Sequence, residues 1–179
     1  MKSFLTIAAL LFILTGCVKM KERSIDYYIS GTAKAEKGDI HGALVDFDKS
    51  IELNPEFAMA YHNRAYYCRL ATGNLQGALE DFTASIEVSP IDNDAYSLSM
   101  RSFVKLQMKD VAGALKDVGA SLELDPNNSF AYRNRALIKL AQTDTLACVE
   151  DLKKARELGF ATKFGTEVDE LLSWLAPEQ

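Results

Sequence analysis

Between residues 43 and 51 the apolar side chains Ala43, Leu44, Phe47 and Ile51 recur at one, four and eight steps, the spacing of one face of an α-helix. The phrase then returns. GALVDFDKSIELNP (42–55) is followed by GALEDFTASIEVSP (77–90) and GALKDVGASLELDP (113–126), and a looser version, CVEDLKKARELGF, begins at 148. Proline lacks an N–H and its ring clashes with the preceding turn, so Pro55, Pro90 and Pro126 each close a helix. New helices are predicted near Ala58, near Asp92 or Asn93, and near Asn128. Short turns at 37–39, 72–74, 108–110 and 142–144 join each first helix to its second.

The prolines are spaced by 35 and 36 residues, and each is followed six residues later by a tyrosine: Tyr61, Tyr96 and Tyr132. A fixed period of this size marks a stack of helical hairpins, because one hairpin cannot bury its apolar stripe alone. In register with these tyrosines and Tyr27, a small-residue slot holds Gly31, Ala65, Met100 and Ala136. An alanine slot holds Ala43, Ala78, Ala114 and Cys148, and the next large slot holds Phe47, Phe82, Val118 and Leu152. Met100 departs from the small residues. Repeats 2 and 3 carry one and two extra residues between tyrosine and alanine, which predicts longer inner turns there.

On these positions the chain resembles the tetratricopeptide repeat family over residues 24–158. The resemblance implies an all-α fold: a right-handed solenoid of four helical hairpins at about 24–57, 58–92, 93–128 and 129–158. Residues 159–179 hold a linker and a capping helix, where Thr166 is positioned to cap with Asp169 three residues on. Val168, Leu171, Leu172 and Leu175 form that helix's apolar stripe, with Trp174 beside it.

The N-terminus is different material. Residues 4–14 are an unbroken apolar run after Lys2, too short for a membrane span of roughly 20 residues, and they end in LTGC (14–17). This resembles a bacterial lipoprotein signal. It implies removal of residues 1–16 and acylation, with palmitate among the acyl groups, of Cys17. Residues 17–23 then form a lipidated tether in which Lys19, Lys21 and Arg23 face the lipid surface.

A net charge of −5 argues against nucleic acid as a partner, and three cysteines do not make a disulfide framework. No phosphate loop, zinc-ligand spacing or nucleophile elbow is present, so neither enzyme activity, metal nor cofactor is expected. Pairing of Arg64 with Asp81 and of Arg135 with Asp151 is expected inside the repeats, and Cys68 and Cys148 are expected as buried free thiols. By resemblance, the first helices line a concave groove. The family's groove positions fall on Tyr28, His62, Asn63, Tyr66, Arg69, Ser97, Arg101, Lys105, Arg133 and Asn134. This basic and aromatic set suits an extended, acidic partner segment. Members that clamp a chaperone's C-terminal carboxylate are matched only at Asn63, because Tyr28, Thr32, Asp94 and Leu98 stand at the other clamp positions.

The two resemblances imply a lipid-anchored, non-catalytic interaction scaffold of the bacterial cell envelope whose partner is an envelope protein or peptide. Val18 after the cysteine favours the outer membrane, periplasmic side. The alternative is a structural envelope module that forms homo-oligomers through a solenoid edge or its terminal helix.

Overall fold

Asp39, Asp110 and Asp144 each accept a hydrogen bond from a backbone N–H three residues on, and each thereby starts a helix. The same contact explains the glycine that opens the repeated phrase. A Cβ on Gly42 or Gly113 would sit 2.2 or 2.1 Å from Oδ2 of the capping Asp and 3.0 Å from the Oδ1 that accepts the capping bond. Where Ala147 replaces the glycine, the capping bond lengthens to 3.2 Å from 2.9 Å.

The computed structural model describes residues 2–89, 94–160 and 165–175, with side chains from residue 16 onward other than Cys17. Helices α1 (Lys2–Glu36), α2 (Ile40–Leu53), α3 (Ala58–Asn63), α4 (Leu75–Val88) and α5 (Ala95–Gln107) come first. They are followed by α6 (Val111–Leu124), α7 (Ser129–Ala141), α8 (Thr145–Glu157) and α9 (Glu167–Leu175). A π-helical segment, Arg64–Leu70, continues α3. The fold is all-α, built of paired helices ended by a further helix, and no strand occurs among the described residues. Among them no helix is long and apolar enough to cross a membrane.

Residues 1–74 and 75–179 form two compact units. In the first, α1 pairs with α2, and α2 packs on α3 and the π segment. Its core is Ala35, Ala43, Phe47 and Cys68. Gly31 fills its small slot for a reason of space: a Cβ there would stand 3.0 Å from the Phe47 ring. Ser24 and Ser50, both fully buried, exchange hydroxyl-to-carbonyl bonds of 2.9 and 2.8 Å. Residues 17–23, expected as a tether, are helical within α1. Helical rise gives them a length of about 10 Å, well below extended reach. The Cys17 side chain lies outside the described residues.

In the second unit, α4 packs on α5, and the hairpins α5–α6 and α7–α8 stack through α6 and α7. Ala78, Phe82, Ala114, Val118, Ala136, Cys148 and Leu152 are all buried, as the repeat pattern requires. Helix α9 lays Val168 and Leu172 against Ala136, Cys148, Leu152, Ala155 and Phe160. Leu171 and Leu175 pack alongside, while Trp174 is exposed. Thr166 does not pair with Asp169. Its hydroxyl donates to the Glu170 carboxylate at 2.7 Å, one full helical turn on.

The inner turns are not lengthened in repeats 2 and 3. Each closes with the same backbone bond: Asp39 to Lys34, Asn74 to Arg69, Asp110 to Lys105 and Asp144 to Lys139, at 2.8–3.0 Å. Each also has a left-handed residue at the same place, namely Gly38, Gly73, Lys109 and Thr143. The extra residue of repeat 2 is absorbed by the π segment, whose wider turns take up one more residue without moving the helix ends. In repeat 3 the surplus lies before α5, which starts at Ala95 under an Asp94 cap (Asp92 and Asn93 lie outside the described residues). Arg101 meets Asp117 over the same 16-residue separation by which Arg135 meets Asp151. This equivalence puts Leu98, not Tyr96, in the tyrosine slot. Ser102, not Met100, is then the small residue, and it is fully buried.

Candidate functional site

The first-helix faces carry the predicted groove residues, and each unit places its own set. In the first unit, Tyr28 is half-buried between the rings of Phe57 and Phe47, at centroid distances of 5.1 and 6.3 Å. The Asn63 amide donates to the Thr32 hydroxyl at 3.0 Å, so it ties one first helix to the next. Tyr66 sits edge-to-face with Tyr67 at 5.0 Å. Burial, Glu36 and the neighbouring tyrosines raise the Tyr67 phenol above its ordinary value. Arg69 lines a cleft of about 260 Å³ with Ile40, His41, Leu44, Cys68 and Thr72. His62 is half-buried on α3.

In the second unit the predicted residues divide. Ser97 is fully buried and bonds to Ser85 at 3.2 Å. Asn134 is also fully buried, donating to the Ser99 carbonyl at 2.7 Å and to the Ser102 hydroxyl at 3.0 Å. Neither faces a groove. Arg101 binds Asp117 through two bonds, at 2.8 and 2.9 Å, and Lys105 binds the same carboxylate at 2.8 Å. These two cations therefore neutralise an internal acid and do not form a free basic stripe. The pattern recurs with Arg135 and Lys139 on Asp151, the first of which was expected, and with Ser30 and Lys34 on Asp46. Arg64 reaches Asp48 at 2.6 Å, in its own unit, and lies over the Tyr61 ring.

Arg133 is different. Its guanidinium lies over the Phe103 ring at 5.2 Å and donates from Nη1 to the Asn134 side-chain oxygen at 3.0 Å. Nε and Nη2 bind the Glu167 carboxylate of α9 at 3.1 and 2.5 Å. Alongside runs a row of aromatic rings: Tyr96 to Phe130 at 5.3 Å and Phe130 to Phe160 at 5.1 Å, both near edge-to-face. Tyr96 and Phe103 are seven residues apart on α5, and Phe130 and Arg133 three apart on α7, so each pair shares a helix face. Phe103, Phe130 and Phe160 were not legible as site residues. The two-residue error of register in α5 turned Phe103 away from the expected face, and Phe160 ends the last repeated phrase, where the other phrases carry proline.

Cys68 and Cys148 are buried thiols outside any disulfide, as expected. Burial and then the nearby Asp151 push the Cys148 thiol above its ordinary value, which favours the protonated thiol. Among the described residues no group of His, Cys, Asp or Glu is arranged to hold a metal ion. What this face offers chemically is the Phe103-backed guanidinium of Arg133 beside the part-exposed rings of Tyr96 and Phe130, with Phe160 buried behind them.

No family model matches the chain. A stretch of 49 residues is 47% identical to the tetratricopeptide repeat protein 36 homolog of Nematostella vectensis, covering 27% of this chain and 27% of that relative. The chain thus matches about a quarter of the curated relative's length. Among solved structures, the first tetratricopeptide domain of Spaghetti (RPAP3), bound to an HSP90 peptide, superposes with a TM-score of 0.64 at 20% identity. That match covers 69% of this chain and 95% of that one. PilF of Pseudomonas aeruginosa superposes with a TM-score of 0.71 at 19% identity over 87% of this chain and 70% of that one. The chain has a tetratricopeptide-like repeat fold.

Proposed function

We propose that this chain is a non-catalytic protein-interaction scaffold that binds an extended, acidic partner segment on its first-helix faces and is held at the bacterial cell envelope by lipid on Cys17. The observation that carries the binding reading is the part-exposed Tyr96–Phe130 pair, seated on the buried Phe160 ring, beside the Phe103-backed guanidinium of Arg133. Planar guanidinium favours carboxylate through paired hydrogen bonds, and flat rings offer apolar area at little cost in side-chain entropy. The RPAP3 domain, of the same fold, is bound to the peptide SRMEEVD, which is itself acidic. The apolar run ending in LTGC supports the anchor, and Val18 supports the outer membrane, periplasmic side.

Capture from a membrane extract tests the binding reading. The full chain is expected to retain a partner that the Tyr96→Ser, Phe103→Ser variant loses at unchanged helical content. A folded variant that captures that partner as well as wild type contradicts it. Cys17→Ser tests the anchor separately: loss of acylation and of membrane fractionation is expected, and an acylated, membrane-bound Cys17→Ser chain contradicts it.

A further inference from the structure

Two of the groups that touch Arg133 belong to the repeats, and one does not. Phe103 on α5 backs the guanidinium, Asn134 on α7 orients it, and Asn134 is itself fixed by Ser99 and Ser102. None of these groups lies on α9. Only the carboxylate comes from α9, where Glu167 accepts bonds from Nε and Nη2. The Arg133 side chain is 10% exposed, whereas that of Glu167 is 45% exposed, so the acid closes the site from the solvent side. Helix α9 does not depend on this ion pair for its seat, because Val168 and Leu172 hold it in the apolar cluster of Ala136, Cys148, Leu152 and Phe160. The arrangement is a preorganised receptor for one carboxylate, filled by a carboxylate of the same chain.

We propose that Glu167 is an internal ligand: it occupies the Arg133 site in place of a partner's carboxylate, so the start of the terminal helix restrains binding on the face formed by α5 and α7. This rests on the reading of that face as the binding surface. The partner segment it implies carries a carboxylate with an apolar side chain close by, the first for Arg133 and the second for the part-exposed Tyr96–Phe130 pair. A ligand able to displace Glu167 must supply contacts beyond its carboxylate, which excludes isolated acidic groups and gives the site selectivity.

The test uses the full chain and the peptide SRMEEVD as probe, with a second peptide in which its acidic side chains are amides and its C-terminus is amidated. Glu167→Gln keeps the size of the side chain and removes its charge. It is expected to bind the acidic peptide roughly tenfold more tightly than wild type, by removing an intramolecular competitor. The gain is expected to vanish in Arg133→Gln, Glu167→Gln and with the amide peptide. Circular dichroism should be unchanged in Glu167→Gln, since the apolar seat of α9 is intact. Equal affinity of wild type and Glu167→Gln, or a gain that survives loss of Arg133, overturns the proposal. If the gain is absent while partner capture still depends on Tyr96 and Phe103, the restraint is wrong and the binding face stands. If capture is also independent of those rings, both fall.

Discussion

Arg101 and Asp117 face each other through two parallel hydrogen bonds, on a carboxylate only 3% exposed that also binds Lys105. The pairing decides what the basic residues of the second unit are for. Replacing Arg101 by Glu would set two carboxylates against each other in a buried place, and breaking such a pair costs about 3–5 kcal/mol. Arg101→Glu is therefore expected to lower the melting temperature strongly, whereas Lys154→Glu, at an exposed pair with Glu157, is expected to change stability by no more than about 0.5 kcal/mol. Thermal melts followed by circular dichroism separate the two.

The glycines that open the repeated phrase make room for a cap. Gly42→Ala and Gly113→Ala should each push the capping Asp39 or Asp110 carboxylate off its backbone donor. Loss of such a cap costs about 1 kcal/mol. Ala147→Gly should act in the opposite sense, because the Asp144 cap is already stretched. Melting temperatures of the three variants check the order.

Lys109 and Thr143 hold left-handed backbone, with φ of 65°, at the turn position where Gly38 and Gly73 stand in the other repeats. A side chain costs roughly 1–2 kcal/mol there. Lys109→Gly and Thr143→Gly are expected to raise the midpoint of urea unfolding, and Gly38→Ala and Gly73→Ala to lower it.

Asp46 sets a pH limit. Burial pushes its carboxyl up, but the Lys34 ammonium and the Ser30 hydroxyl, each at 2.6 Å, outweigh this and hold it below the ordinary value. A carboxylate depressed in the folded state adds stability above its unfolded pKa, and that contribution is lost as pH falls through the folded pKa. Asp46→Asn should therefore cost stability at neutral pH and flatten the loss of stability below about pH 4. Denaturation midpoints at pH 7 and at pH 3 measure both effects.

Much of the fold is written in local pattern. Ala43, Phe47 and their counterparts are packing residues because helical period and hairpin stacking leave no other place for them, and Val168 and Leu172 announce the terminal helix in the same way. The site was less legible. Tyr96 has the spacing from Pro90 that Tyr61 and Tyr132 have from their prolines, but two residues lie outside the repeat before α5, and only the pairing of Arg101 with Asp117 reveals it. A one-residue insertion reads alike whether it widens a helix or lengthens a turn, so the π segment could not be told from a longer loop. Arg101, Lys105 and Arg133 look equivalent as basic residues. Their destinations, two on one buried acid and one on Glu167, depend on side chains 12, 16 and 34 residues away.

Site-specific photo-crosslinking in living cells tests the binding face most directly. A benzophenone side chain at position 103 lies beside Arg133, and one at position 146 replaces the exposed Leu146 of the second-helix side. Position 103 is expected to give a discrete crosslinked partner that weakens when Arg133 is changed to Gln, and position 146 is expected to give none. A partner crosslinked from position 146 and not from position 103 would contradict the account.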